Sequence, residues 1–262
     1  MTLPSFLIVG AMKAGSTSLF RWLESHPDVR MPKEKEPNFF CDDERYRRGV
    51  AWYHDLFPSL GSGEQTGEAS VAYADPHHAV KASLRAHQLL PNARILFLQR
   101  DPEVRLRSHF RHEVKRGREK RPLAEALRDA GCAYVRASCY RMGLSPWRSL
   151  FDQVQVVDFD ALFGSDDAEW RRVLAFLGLS EVRRPSDERH NVTEGKDGYR
   201  PLMRWAYDRG WTRVERAVPR WIKRTVRPAL LGTSDHQRTL LTSASGAIPS
   251  GVRRLLAEQT LD

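Results

Sequence analysis

The chain has 262 residues, 41% hydrophobic and 29% charged, which suits a folded α/β domain with a substantial core and excludes a disordered chain. Forty-two basic against 33 acidic residues give a formal charge of +9 with histidine neutral, which favours an anionic ligand, substrate or partner without saying which. Cys41, Cys132 and Cys139 form no Cys-x-x-Cys pair, and the opening residues carry no basic segment ahead of an apolar run. The expectation is reduced thiols in a cytoplasmic protein with neither a signal peptide nor a transmembrane span.

In chain order, the continuous apolar run Phe6, Leu7, Ile8 and Val9 predicts a buried strand. Residues 10–15 read as a tight loop bounded by Gly10 and Gly15. Ser16, Thr17 and Ser18 are cap-type residues ahead of a helix marked by Leu19, Trp22 and Leu23. A strand, a small-residue loop carrying Lys13, hydroxyls and a helix start make an anion site, because the helix dipole and first-turn amides favour negative charge. Pro27 ends that helix. Residues 30–40 form a charged loop closing on Phe39 and Phe40, residues 41–60 a short helix, and residues 66–70 a short strand end. A helix follows Asp75 and Pro76 towards Leu90.

Residues 94–99 predict a second buried strand, with Arg100 at its carboxyl end and Pro102 in the first turn of a basic helix striped by Leu106, Phe110 and Val114. The basic residues of that helix, Arg105, Arg107, Arg111, Lys115 and Arg116, read mostly as a solvated face. A helix over 123–142, a strand over 154–157 and a helix over 170–177 ended by Gly178 come next. Residues 185–200 read as a polar surface loop, 201–231 as basic helical material, and 233–251 as a mobile Ser/Thr/Gly-rich stretch. Strands alternating with helices predict an α/β fold with a central parallel β-sheet flanked by helices. The expected organisation is a single domain over 1–262, with a core over 1–200 and a basic, partly mobile helical extension over 201–262.

Two anion-friendly segments, 10–18 and 100–108, thus stand at strand carboxyl ends, where open α/β sheets bind ligands. Val104, Ser108 and Arg111 share a helical face, so Ser108 looks back towards whatever Arg100 holds. The first loop is not a Walker A motif, because its lysine is at position 13 rather than after Gly15, which disfavours a kinase or ATPase. His77, His78, His109 and His112 lack further ligands in the sequence, so no metal is expected. Trp205, Trp211 and Trp221, interleaved with basic residues, suit helices packing on their own domain, with nucleic acid or a membrane surface as the alternative. On the residues alone, a basic nucleotide- or nucleic-acid-binding module stays open.

Several separated segments, in order, carry a family resemblance. Lys13-Ala-Gly15-Ser-Thr17-Ser, His26-Pro-Asp28, Glu36-Pro-Asn-Phe39-Phe40 and Gly67-Glu68-x-Ser70 resemble the sulfotransferases that use 3′-phosphoadenosine 5′-phosphosulfate (PAPS), most closely the branch of heparan sulfate N- and O-sulfotransferases and their bacterial relatives. Arg100-Asp-Pro102-x-x-Arg105-x-x-Ser108 is similar to the family's 3′-phosphate motif, and residues 156–162 with 174–179 to the segment before its cofactor-closing loop. The resemblance implies a P-loop-like sulfotransferase fold. It implies transfer of a sulfuryl group from PAPS to a hydroxyl, or less readily an amine, of a small-molecule, natural-product or glycan acceptor, leaving 3′,5′-adenosine bisphosphate. Neither a metal nor nucleic acid takes part in this scheme.

The implied cofactor contacts are Lys13, Ala14, Gly15, Ser16, Thr17 and Ser18 around the 5′-phosphosulfate, with Lys13 neutralising the leaving phosphate, and Arg100 and Ser108 on the 3′-phosphate. Glu36 is implied as the general base, with Glu34 as its competitor and His109 as a minor alternative. The expected acceptor contacts are Lys35, Phe39, Glu68 and Ser70, and Lys196 and Arg200 match the closing loop. Two departures stand out. Ala69 occupies the place where the heparan branch often has a lysine, which suits a smaller acceptor. Lys196, Gly198 and Arg200 are spaced differently from the family's Lys-Gly-Arg run and have no flanking cysteines.

Overall fold

Four short segments become strands: β1 (Phe6–Gly10), β2 (Gly67–Ala69), β3 (Arg94–Gln99) and β4 (Val154–Asp158). The computed structural model, which describes residues 2–129, 131–185 and 235–261, pairs all four in parallel in the order β2-β1-β3-β4. β1 is buried along its whole length, as a parallel strand covered on both faces must be. Gly67 on β2 is required by close approach: a Cβ there would lie 2.0 Å from the Phe6 ring. The chain steps from β1 outward to β2, then crosses back over β1 to β3 and on to β4. The winding reverses beside β1, so the crevice at its carboxyl end is the topological switch point, where ligands of such sheets bind.

Helices α1 (Ser16–Glu24), α4 (Ala79–Leu89), α8 (Tyr140–Arg148) and α10 (Ala168–Leu177) cover the sheet, and Trp22, Trp147 and Trp170 are fully buried in that core. Helix α5 (Pro102–Lys115) follows β3. Its stripe of Leu106, Phe110 and Val114 builds a second core with Leu123, Leu127 and Val135, and with Leu240, Val252 and Leu256 from near the end of the chain.

Three expectations change. Residues 41–60 hold two helices, α2 (Asp43–Arg47) and α3 (Gly49–His54): Asp42 caps the first, and Gly49 at φ +82° sets off the second. Residues 123–142 are not one helix but α6 (Leu123–Ala126), α7 (Ala133–Arg136) and the start of α8. The Asp129 side chain accepts from the Gly131 amide in a turn, and the Tyr134 carbonyl is taken by the Arg105 guanidinium and the Ser138 hydroxyl instead of a further helical turn. Within the stretch expected to be mobile, Asp235–Ser243 and the start of Ser250–Glu258 are helical and packed on α5, where Arg107 donates to the carbonyls of Ala244 and Gly246 at 2.7 and 2.8 Å. The polar loop, with Lys196 and Arg200, and the basic segment 201–231 lie outside the described residues. Among the described residues, no helix is long and apolar enough to cross a membrane.

Candidate active site

The loop between β1 and α1 hangs on the neighbouring strand, because the Ala11 amide donates to the Leu98 carbonyl at 2.8 Å. Lys13 takes φ +68° and Gly15 φ +93° as the backbone turns into α1. Gly15 is the residue that fits: besides its φ, an added Cβ would lie 2.9 Å from Phe163 and 3.0 Å from Phe159. No side chain caps α1, so the positive end of its dipole is presented to the switch-point crevice. Ser16 and Ser18 are buried in that first turn, Ala14 is buried in the loop, and Lys13, Gly15 and Thr17 are half-buried.

Beneath the loop lies a residue expected on a solvated face. Arg105 is 0% exposed: its Nε donates to Ser138 Oγ at 2.7 Å, one Nη to the Met12 carbonyl at 3.3 Å and the other to the Tyr134 carbonyl. Burial pulls its pKa down to about 10, which still leaves it cationic at neutral pH, a fixed positive charge under the loop backbone. Beside it, burial first and then the Arg105 charge hold His109 down to about 2; burial first and then Lys13 hold His112 down to about 3. Both are neutral. His109, packed on Tyr134 with ring centroids 4.9 Å apart, is a buried partner of the loop's support.

Phe159, just after β4, joins the two anion segments. Its ring faces Gly15 and lies 4.1 Å under the Arg100 guanidinium carbon, while the Arg100 carbonyl accepts from Tyr140 Oη at 2.8 Å. The ends of β1, β3 and β4 therefore converge. Ser108 is half-buried on α5, two turns from Arg100 along the chain.

The end of β2 adds the carboxylate. Glu36 and Asn38 adopt φ of +65° and +52°, a conformation that non-glycine residues hold only when their surroundings impose it. Here the imposing bonds are visible. The Glu36 amide donates to the Ala69 carbonyl at 2.9 Å, the Asn38 amide to Ser70 Oγ at 3.0 Å, and Arg45 to the carbonyls of Glu36 and Pro37. Ser70 in turn donates to Glu68 at 2.5 Å, and Tyr53 donates to the other Glu68 oxygen. Glu68 is fully buried, and desolvation raises its pKa against the hydrogen bonds that lower it. Phe39 stacks on Tyr53 at 4.3 Å. Of the four residues expected to touch an acceptor, Phe39, Glu68 and Ser70 thus lie beneath the site and hold up the Glu36 loop.

The fourth, Lys35, links the halves of the site. Its ammonium lies 2.8 Å from Glu36 Oε1 and 3.4 Å from Ser16 Oγ, in the first turn of α1. A carboxylate and an anion loop that are 20 positions apart in sequence meet across one lysine. Glu34, the competing carboxylate, is exposed.

A family model described as the sulfotransferase domain matches residues 3–194. The chain belongs to the sulfotransferase family. Among the relatives of this sulfotransferase domain, heparan sulfate glucosamine 3-O-sulfotransferase 3B1 from Mus musculus is 31% identical over 204 residues, 74% of this chain and 50% of the relative. Heparan sulfate glucosamine 3-O-sulfotransferase 6 from Homo sapiens is 30% identical over 246 residues, 86% of this chain and 69% of the relative. The chain spans about half the length of several curated relatives it matches. The crystal structure of a sulfotransferase from Alicyclobacillus acidocaldarius superposes with a TM-score of 0.62 at 25% identity, covering 97% of this chain and 100% of that one. The fold is thus a single sulfotransferase-type α/β domain.

Arg105, Arg45, Asn38 and Phe159 are the site residues that reading the sequence for function did not single out. Arg105 had a signal: it follows Pro102 by three positions and precedes His109 by four, a shared helical face beside the apolar stripe. Asn38 had a weaker one, since asparagine tolerates the left-handed region better than most residues. Arg45 had none, because its partners are backbone carbonyls, which carry no side-chain signal, and Phe159 had none, because Gly15 and Arg100, which it meets, are distant in the chain.

Proposed function

We propose that this domain transfers a sulfuryl group from PAPS to a hydroxyl of a small or medium-sized acceptor. The observation that carries the reading is the Lys35 bridge, which sets a carboxylate against the first turn of α1, beside the Lys13 loop, at the switch point of the sheet. The residues fit such a donor: one end of the crevice offers Lys13, Lys35, Ser16 and the α1 dipole, and the other offers Arg100, so two separated anionic groups find cationic partners. The donor supplies an activated sulfuryl group on a phosphate leaving group.

The chain's own residues do the rest. Lys13 and the α1 amino terminus stabilise the charge that grows on the leaving phosphate oxygen. Arg100 and Ser108 hold the 3′-phosphate, which fixes the donor's register in the crevice. Glu36, 42% exposed, is open to an acceptor and takes its proton: the acceptor oxygen's lone pair forms the new S–O bond, the old S–O bond breaks towards the phosphate, and the hydroxyl proton ends on the Glu36 carboxylate. Sulfuryl transfer shares with phosphoryl transfer its dependence on in-line placement and charge stabilisation. Ala69, with its side chain buried beneath the Glu36 loop, puts no second cation beside Glu36 and so favours a compact acceptor over a polysulfated chain.

The test is incubation of the full chain with sulfur-labelled PAPS and fractionated cell extracts or candidate hydroxyl metabolites. Labelled product with the wild type, and its formation slowed by a factor of about 10² to 10⁴ with Glu36→Gln, is expected. Equal labelling by both proteins removes Glu36 as the base.

A further inference from the structure

Lys35 sits where two demands for a cation compete. Its side chain is 17% exposed, and its ammonium reaches the Glu36 carboxylate at 2.8 Å and the Ser16 hydroxyl at 3.4 Å. Glu36 cannot follow it far. Its backbone is locked in the left-handed region by the bonds from Glu36 to Ala69 and from Arg45 to the Glu36 carbonyl. The lysine has the longer, freely rotating side chain and three donors, and the carboxylate has neither. Between these two partners it is therefore the lysine that moves.

While the ammonium holds Glu36, one carboxylate oxygen, Oε1, is engaged in a charge-assisted bond and is not open to an incoming hydroxyl. A negative group arriving in the first turn of α1 offers the same ammonium an alternative partner on the Ser16 side, over a displacement of a few ångströms. We propose that Lys35 is shared between Glu36 and the sulfuryl end of the donor, so that donor binding draws the ammonium off Glu36 and opens the Oε1 side of the carboxylate to an acceptor when a sulfuryl group is in place. No proton is transferred in this exchange; Lys35 changes only its acceptor. The consequence is order. An acceptor that enters the empty enzyme meets a carboxylate with Oε1 occupied, and one that enters the loaded enzyme meets it with that oxygen released.

This inference rests on the sulfotransferase reading and makes a claim that reading does not: Glu36 and the sulfuryl group compete for one lysine. Competition can be read without turnover, by calorimetric titration of the full chain with 3′,5′-adenosine bisphosphate and, separately, with PAPS in the absence of acceptor. Lys35→Met is expected to weaken PAPS by about tenfold while leaving the bisphosphate, which has no sulfuryl group, within about threefold. Lys35→Arg, which keeps the charge, is expected to restore most of the PAPS affinity. The distinctive outcome belongs to Glu36→Gln: with its competitor gone, Lys35 is released, and PAPS binding is expected to strengthen about threefold or more relative to the bisphosphate. A Lys35→Met protein that loses both ligands equally, or a Glu36→Gln protein in which PAPS binding weakens, overturns the proposal. If Lys35→Met does not fold, the Glu36→Gln ratio decides alone. A wild-type chain that binds neither nucleotide overturns the sulfotransferase reading itself, which is a different result from two bound nucleotides with an unchanged ratio.

Discussion

Arg105 illustrates how single residues set this site. A guanidinium with no exposure and only neutral acceptors around it is costly, yet here it ties the Met12 carbonyl of the anion loop to Ser138 and Tyr134. Replacing it by alanine leaves carbonyls unsatisfied and opens a cavity, so Arg105→Ala is expected to lower unfolding free energy by about 3 kcal/mol or more in urea titrations. Nucleotide affinity in whatever folded protein remains should fall as well, since the loop loses its floor. Glu36→Gln has the opposite profile. Its folding and bisphosphate binding should match wild type while transfer falls by a factor of about 10² to 10⁴, the usual share of a general base. Stopped-time assays with labelled donor read the transfer, and calorimetry the bisphosphate binding.

At the scale of elements, the crevice depends on how closely helices and turns approach the sheet. The 3-10 turn Val71–Ala74 carries the chain out of β2, and α8 crosses it at Gly143, where an added Cβ would lie 2.2 Å from the Ala74 carbonyl oxygen. Backbone cannot yield as a flexible side chain does. Gly143→Ala should therefore destabilise by about 1–3 kcal/mol, measured by denaturant midpoint, through a position with no part in the chemistry. The four strands, the β1 loop and the 94–108 segment were legible in the sequence because local signals agree there: apolar runs, a glycine-bounded loop, a proline at a helix start. The break in 41–60 was not, although its cues, Asp42 and Gly49, are local, and the break in 123–142 was not because it depends on long-range bonds such as Arg105 to the Tyr134 carbonyl. The support of the Glu36 loop was hidden for the same reason. Glu68 and Ser70 read as acceptor contacts because they are polar and lie in a segment that resembles the family's, while the sequence does not show that the chain folds over them.

For the whole molecule, the buried histidines predict how stability responds to acid. His109 and His112 have folded values of about 2 and about 3 against an unfolded value of 6.5. The unfolded chain therefore binds protons below pH 6.5 that the native state refuses, and stability falls as pH drops from 6.5 towards those folded values. The slope approaches about 1.4 kcal/mol per pH unit for a well-buried histidine such as His109 and is smaller for the partly exposed His112. Glu68 acts oppositely: its raised value stabilises the protonated native form at low pH and subtracts stability as pH rises above 4.5. Denaturant midpoints at pH 7.5, 6.0 and 5.0 should decline, and His109→Gln should flatten the decline.

The central claim, that the β1–α1 loop and Arg100 together hold a doubly phosphorylated adenosine, meets its most direct test in a thermal melt of the full chain with 3′,5′-adenosine bisphosphate, ATP or an oligonucleotide. At a hundredfold excess over its dissociation constant, a ligand specific to the native state adds about 2.7 kcal/mol, or roughly 5–10 °C for a domain of this size. The bisphosphate should give that rise, and ATP and the oligonucleotide little or none. Stabilisation by ATP or the oligonucleotide alone would contradict the account.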